Sequence, residues 1–269
     1  MPNYRYCTLY SGSTGNAAYI ETPHARILID AGKCTRTLVS SLASIGVDID
    51  TVDAIFITHE HSDHVASLEV LAKKHPIPVH ILYNSALRYS QNPPPALCSV
   101  LQIYRDAPYT ARVGDVTVTA FPTPHDSRAA VGYRFEFPDG DRTVCLGYAT
   151  DIGKPTFTVT DALCGCRAVI LEANYDKDML RQGPYPLSLK QRIGGDHGHM
   201  DNETSAKFCA FLGKRGTERI LLAHLSNENN TPDVAYQTVL KKLKEENLSL
   251  SLGVADRYTP TELITLPLC

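Results

Sequence analysis

No apolar run in this sequence approaches the roughly 20 residues that a membrane-crossing helix requires, so no such span is expected. The opening stretch, MPNYRYCTLY, lacks a basic segment followed by an apolar one, and no secretory leader is predicted. A strong charge of either sign is missing too: 26 Lys and Arg stand against 29 Asp and Glu, a net of −3. The overall field therefore does not announce nucleic-acid binding, although a local basic patch stays compatible with it. Repeats and low-complexity tracts are absent. What is left is the profile of an ordinary folded chain. Its 269 residues, 43% of them hydrophobic, predict one large domain over 1–269 with a substantial core.

Cysteine is not scarce. Cys7, Cys34, Cys98, Cys145, Cys164, Cys166, Cys209 and Cys269 are scattered through segments that read as core. A chain of this length needs no staples, so most are expected to be reduced, packed thiols in the cytoplasm. Cys164 and Cys166 form a lone C-x-C without a second pair, which is a weak zinc signal.

Strands and helices alternate along the chain. RYCTLYSG and AAYIET read as strands around the turn SGSTGN; RILIDAG and VDAIFIT read as buried strands. TRTLVSSLASIG has the pattern of an amphipathic helix stopped by Gly46, and SLEVLAKKHP has helical spacing up to Pro76. The second half gives the strands VTVTAFPTPH, AVGYRFEF, RTVCLGYATD, AVILEAN and RILLAHLS. It also gives helices over DNETSAKFCAFLGKRG and TPDVAYQTVLKKLKEEN, with Asp201 and Thr231 as N-caps. QNPPPAL, residues 91–97, is expected to be loop. Two similar halves of strands with interspersed helices predict two sheets packed together with helices outside.

Polar residues recur where those strands end. RILI ends at Asp30 and CLGYAT at Asp151. AIFIT runs into THEHSDH, which places His59, His61, Asp63 and His64 within seven positions. TAFPTP ends at His125 and ILLA at His224. A rigid sheet holds ligands at its strand ends while a cleft keeps them reachable. One ion cannot take every donor of such a turn, because neighbouring side chains diverge, so two ions side by side are expected. His59, His61 and His125 suit the first; Asp63, His64 and His224 suit the second; Asp151 suits a bridge. Incomplete ligand sets of this kind are catalytic rather than structural. Asp30 is expected to orient a ligand histidine through its other ring nitrogen. His24, His75 and His80 stand outside the cluster and read as ordinary packed or surface histidines.

LIDAG, THEHSDH, PTPHDS, YATDIG and AHLS resemble, in order and spacing, the five motifs of the metallo-β-lactamase fold superfamily. The resemblance runs from about residue 4 to the C-terminus. It implies an α+β fold, a four-layer αββα sandwich, with a dinuclear centre between the sheets and Asp151 as the bridging ligand. Redox members carry H-x-E in the first motif; His61 here favours hydrolysis. SGSTGN, ANYDKDML…GPYPLSLKQRI, GHMDN and HLSNENN are similar to the YycJ/WalJ-like branch, small bacterial exonucleases acting on double-stranded DNA. That branch usually reads GHLSN where this chain has GHMDN; His199 and Asn202 match, while Met200 and Asp201 depart and leave the local hydrogen bonding open.

The resemblance implies a metal-dependent phosphodiesterase acting on DNA, with a hydroxide between two cations as nucleophile and a role in DNA repair. Zinc, manganese and iron all suit the ligands. His199 is the candidate acid for the leaving oxygen. By likeness to the tRNA 3′-processing hydrolases of this fold, Glu172 would orient it and raise its basicity. Asp63 stands with these two as a catalytic residue as well as a ligand. Arg181, Lys190 and Arg192 would contact phosphates and Tyr185 would stack, unless that stretch is simply a solvated face. Ser11, Ser13 and Asn16 in SGSTGN would approach a phosphate, unless the segment is an ordinary hairpin turn; Asn202 is a further substrate contact. No long insertion follows YATDIG and no flexible arm is evident, which favours the compact exonuclease branch. The alternatives are a small-molecule hydrolase on the same fold, for a cyclic phosphodiester, lactone or thioester, and a non-catalytic binding protein, which the full ligand set disfavours.

Overall fold

The computed structural model describes residues 4–266; Cys269, counted above among the thiols, lies outside them. β1 (Arg5–Tyr10), β2 (Ala17–Glu21) and β3 (Arg26–Ile29) form an antiparallel meander. β4 (Ala54–Phe56), β5 (Val79–Leu82) and β6 (Leu101–Tyr104) extend it as parallel strands. The second half repeats the plan. β7 (Tyr109–Val113), β8 (Val116–Pro122), β9 (Val131–Asp139) and β10 (Arg142–Ala149) are antiparallel, and β11 (Ala168–Glu172), β12 (Arg219–Ala223) and β13 (Ser251–Val254) continue in parallel. β14 (Ile264–Thr265) returns to pair with β1, giving two seven-stranded sheets.

Parallel neighbours need crossovers, and helices supply them. α1 (Thr35–Ser44) links β3 to β4; α2 (Ser62–Val65) and α3 (Leu68–Lys74) lead to β5; α4 (Tyr83–Ala86) and α5 (Pro95–Cys98) lead to β6. In the second half α6 (Phe157–Leu163) precedes β11. α7 (Lys177–Gln182), α8 (Leu187–Ile193) and α9 (Asn202–Gly213) lie between β11 and β12, and α10 (Pro232–Glu245) precedes β13. Asp201 caps α9 by accepting from Glu203 N and Thr204 N, and Thr231 caps α10 by accepting from Val234 N. Gly46, with φ of +79°, stands just beyond α1 in the left-handed region that glycine enters without strain.

Strict alternation sorts the apolar residues into layers. Ile27 and Ile29 of β3 join Phe56, Val118, Phe135 and Ile170 in the core between the sheets, while Leu28 packs with Leu38, Leu42 and Leu71 of the overlying helices. In β12 Leu221 faces the partner sheet, whereas Ile220 and Leu222 meet Phe208, Val239 and Leu243. Burial on both faces explains why these strands read as unbroken apolar runs. The result is the four-layer αββα sandwich.

Three details depart from expectation. QNPPPAL is not all loop, because α5 begins at Pro95; proline is tolerated in a first turn, where its missing N–H has no helical partner. Cys34 and Cys98 are exposed rather than packed, while Cys7, Cys145, Cys166 and Cys209 are buried. The strands VHIL, LQIY, YTARV and SLGV, and the short helices α6 to α8, were not predicted.

Candidate metal centre

The residues following β3, β4, β8, β10 and β12 meet at one edge of the sandwich. Three of them leave their strands by a backbone turn that side chains resist: φ is +62° at Asp30, +57° at Asp151 and +57° at His224. Aspartate and histidine tolerate this conformation better than most residues, and such outliers concentrate at functional sites. Ser11 helps hold the last turn, its Oγ accepting from His224 N at 2.8 Å. Gly32 is required for a close approach, since a Cβ there would lie 1.6 Å from Asp63 O.

The structure brings the expected residues together. Donor atoms of His59, His61 and His125 lie within 4.8 Å of one another, as do those of Asp63, His64 and His224. Asp151 stands between, in one group with His59 and His64 and in another with Glu172, His199 and His224. His64 Nε2 is 3.4 Å from both Asp63 Oδ2 and Asp151 Oδ2. His125 Nε2 is 3.7 Å from Asp151 Oδ1. His59 Nε2, His224 Nε2 and Asp151 Oδ2 are buried without a hydrogen-bond partner among the described residues. Each such orphan costs about 1–3 kcal/mol. Imidazole nitrogens and carboxylate oxygens converging on one place, with buried atoms unsatisfied, fit divalent cations.

The remaining ring nitrogens are tied outward. His64 Nδ1 lies 2.7 Å from Asp30 Oδ2, and Asp30 also accepts from Thr58 N at 2.8 Å and Thr58 Oγ1 at 2.8 Å. His125 Nδ1 is 3.2 Å from Gly198 O. His224 Nδ1 is 2.8 Å from Glu172 Oε1, the same oxygen that lies 2.9 Å from His199 Nδ1. Such outer contacts fix which nitrogen faces inward.

Electrostatics point the same way. Burial opposes the charge on His64, yet Asp30, Asp151 and Asp63 outweigh it and push the imidazole well above its usual range. Burial likewise opposes His224, which Asp151, Asp63 and Glu172 raise to about 10. Burial works against the Asp151 carboxylate, but His224, His64 and His59 hold it well below its usual range. His59 is driven well down, by burial first and by His64 second. A cluster that captures protons where its carboxylates converge is a cluster that attracts cations.

A cavity of about 180 Å³ opens above these residues, lined in part by Ser13, Tyr185, Arg192 and His199. Five expected substrate contacts fit it poorly or not at all. Ser11 and Asn16 are buried and turned inward, Asn16 Nδ2 lying 3.1 Å from His64 Nε2. Asn202 is buried and exchanges hydrogen bonds with Asn230 at 3.0 and 2.9 Å. Arg181 pairs with Asp178 and lines a neighbouring cavity with Lys190, whose Nζ donates to Arg181 O. A sequence cannot say which face of a short helix meets the cleft. His24 is exposed, His75 pairs with Asp50, and His80 stacks on Phe56, all away from the cluster.

Residues that sequence reasoning passed over also take part. Thr58 opens the histidine motif and supports Asp30. Asn174 Nδ2 donates to His224 O at 2.7 Å, and its place two residues past Glu172 was the available signal. Asp126, next to His125, pairs with Arg192.

The beta-lactamase superfamily domain matches residues 25–225 of this chain. The exodeoxyribonuclease WalJ of Streptococcus pneumoniae serotype 2 is 35% identical over 252 residues, covering 93% of this chain and 91% of the relative. The exodeoxyribonuclease YycJ of Bacillus anthracis is 33% identical over 248 residues, 91% of each chain. Among solved structures, Zn²⁺-bound PqqB from Methylobacterium extorquens superposes with a TM-score of 0.72 at 17% identity, over 96% of this chain and 100% of that one. At that identity the likeness speaks for the fold alone.

Proposed function

This chain belongs to the β-lactamase superfamily, and from that premise we propose that it is a metal-dependent exonuclease cutting phosphodiester bonds of DNA. One observation carries the proposal: the orphaned donors of His59, Asp151 and His224 converge beside a histidine, His199, that is held by a buried carboxylate. The two relatives similar over nine-tenths of the chain, both exodeoxyribonucleases, support DNA as the substrate.

His59, His61 and His125 would hold one divalent cation, and Asp63, His64 and His224 a second, with Asp151 serving both. Cations so held would lower the pKa of water and neutralise charge gathering on the phosphate. Asp63, with 24% of its side chain exposed, faces the cleft and orients the attacking water. His199, at 21%, also reaches the cleft. Its Nδ1–H donates to Glu172, which leaves Nε2 to protonate the departing oxygen. Glu172 is fully buried, and its other oxygen accepts from Ile152 N at 2.9 Å and Met200 N at 3.1 Å, so the carboxylate cannot swing away. Met200, which departs from the related branch, meets Glu172 through its backbone N–H while its side chain packs into the core.

Zinc, manganese or iron are the cations proposed, on the mixed imidazole and carboxylate donors. The cytoplasm is the proposed location, on the buried, reduced thiols of Cys7, Cys166 and Cys209. No helix among the described residues is long and apolar enough to cross a membrane.

The test uses end-labelled duplex DNA with manganese or zinc, comparing the parent with His61→Ala and Asp151→Ala. The parent is expected to shorten the label from an end, and both variants to lose metal and activity together. The narrow cavity, about 180 Å³, favours the second reading, a small phosphodiester or ester as substrate. A parent that retains metal but shortens no DNA with either ion would decide for that reading.

A further inference from the structure

Three arginines from separate parts of the chain stand around the metal centre: Arg192 lines its cavity, and Arg88 and Arg128 contact Glu60, the residue between His59 and His61. Arg192 lies in α8 and pairs with Asp126, in the loop after β8. Arg128 follows two residues later, and its N–H donates to Glu60 Oε1 at 2.7 Å. Arg88, in the turn after α4, donates to Glu60 O at 3.0 Å. Glu60 sits between His59 and His61, so both arginines are anchored on the histidine motif itself. All three are exposed. Neither Arg88 nor Arg128 forms an ion pair among the described residues. These three guanidinium groups stand among the carboxylates of Asp126, the buried Glu60 and Asp63, the last lining the same cavity as Arg192.

Arg192 is also held in register with the reacting centre. His199 N donates to Ile193 O at 2.8 Å and Gly198 N to Gly195 O at 2.9 Å. A Cβ on Gly198 would lie 2.2 Å from Arg192 O, so the end of α8 and the segment bearing His199 fit only at this distance. Arg192 lines the cavity that His199 enters, while Arg88 and Arg128 meet the histidine motif at Glu60, outside that lining.

We infer that Arg192, Arg128 and Arg88 form a phosphate track that seats the backbone of a DNA strand beside the metal centre, with Arg192 nearest the bond that breaks. The inference rests on the phosphodiesterase reading above and adds where the strand lies. A guanidinium fork suits phosphate oxygens, and backbone contacts position a strand without reading its sequence. Arg192 exchanges Asp126 for a phosphate when the strand enters. The track makes a substrate with several nucleotides beyond the cut better than one with none.

The metal-loaded protein and the variants Arg88→Ala, Arg128→Ala and Arg192→Ala are assayed on a long single strand and on a dinucleoside monophosphate, across a range of salt. Metal content and melting temperature confirm that each variant is folded. The slope of log kcat/KM against log salt on the strand should become shallower by about 0.7 for each arginine removed. The loss on the strand, carried by KM, should exceed the loss on the dinucleotide by about tenfold for the combined variant. Equal losses on both substrates, or an unchanged slope in the combined variant, would overturn the track while leaving the phosphodiesterase reading intact. A parent that cleaves neither of these substrates nor duplex DNA would overturn both.

Discussion

Replacing Glu172 with glutamine changes one atom and almost no volume, yet it should be among the most damaging substitutions in the molecule. The carboxylate is fully buried and accepts four hydrogen bonds, from His199 and His224 on Oε1 and from Ile152 N and Met200 N on Oε2. Glutamine offers one oxygen and one NH2. Whichever way it turns, the NH2 faces two donors, and two N–H groups lose their acceptor. At about 1–3 kcal/mol for each of these two buried groups left unsatisfied, the fold loses roughly 2–6 kcal/mol. At about 2–4 °C per kcal/mol for a chain approaching this size, melting falls by on the order of 10 °C. If the amide turns to the histidines, His224 and His199 are misaligned together, so metal affinity and turnover decline in parallel. Calorimetry, metal analysis and kinetics on Glu172→Gln read all three. A variant that melts like the parent and keeps both its metal and its rate would refute the claim that this carboxylate organises the centre.

His199→Ala should keep its metal and lose about 100-fold in turnover, within the range for a general acid; an undiminished rate removes His199 from the mechanism. The metal-free protein should release protons when zinc is added near pH 8, because His224, raised to about 10, must shed its proton to bind. A titration in weak buffer measures them, and no release would contradict the assigned ligand. The same raised value adds stability to the metal-free chain that is fully present below the unfolded histidine value, about 6.5, and is lost as pH climbs through 10. Its melting temperature should therefore fall between pH 7 and 10. Gly32→Ala must open a 1.6 Å approach to Asp63 O by at least 1.4 Å to reach even 3.0 Å. It should cost about 1–3 kcal/mol and weaken metal binding; a variant matching the parent on both counts would show that the loop yields freely.

Much of this was legible in the sequence, for a physical reason. A strand buried on both faces must be a continuous apolar run, so β3, β11 and β12 announced themselves. Residues placed at their ends were conspicuous because polar groups there interrupt apolar runs. β6 and β7 were missed because each lies at the edge of its sheet, with no residue of β6 and only Tyr109 of β7 buried, and four or five such residues resemble loop. The ligand groupings followed from the crowding of THEHSDH. The wall of the cleft did not: Arg192 faces it while Arg181 and Lys190 serve a neighbouring cavity, and only the packing of α8 against Gly198 decides which. Glu172 was tied by resemblance to His199, but nothing in ILEAN told of its second partner, His224, more than fifty positions away.

Every proposed ion grouping takes donors from both sides of the duplicated architecture: His59 and His61 with His125, Asp63 and His64 with His224. Neither half supplies the whole donor set proposed for either ion, so an ion bound in those sets acts as a rivet through the seam. A chelating buffer would then do more than silence such a molecule; it would leave the halves joined only by their oily faces and the hydrogen bonds that cross the seam. Ion content should accordingly govern how long a preparation survives heat or protease, even for samples in which no substrate is ever added.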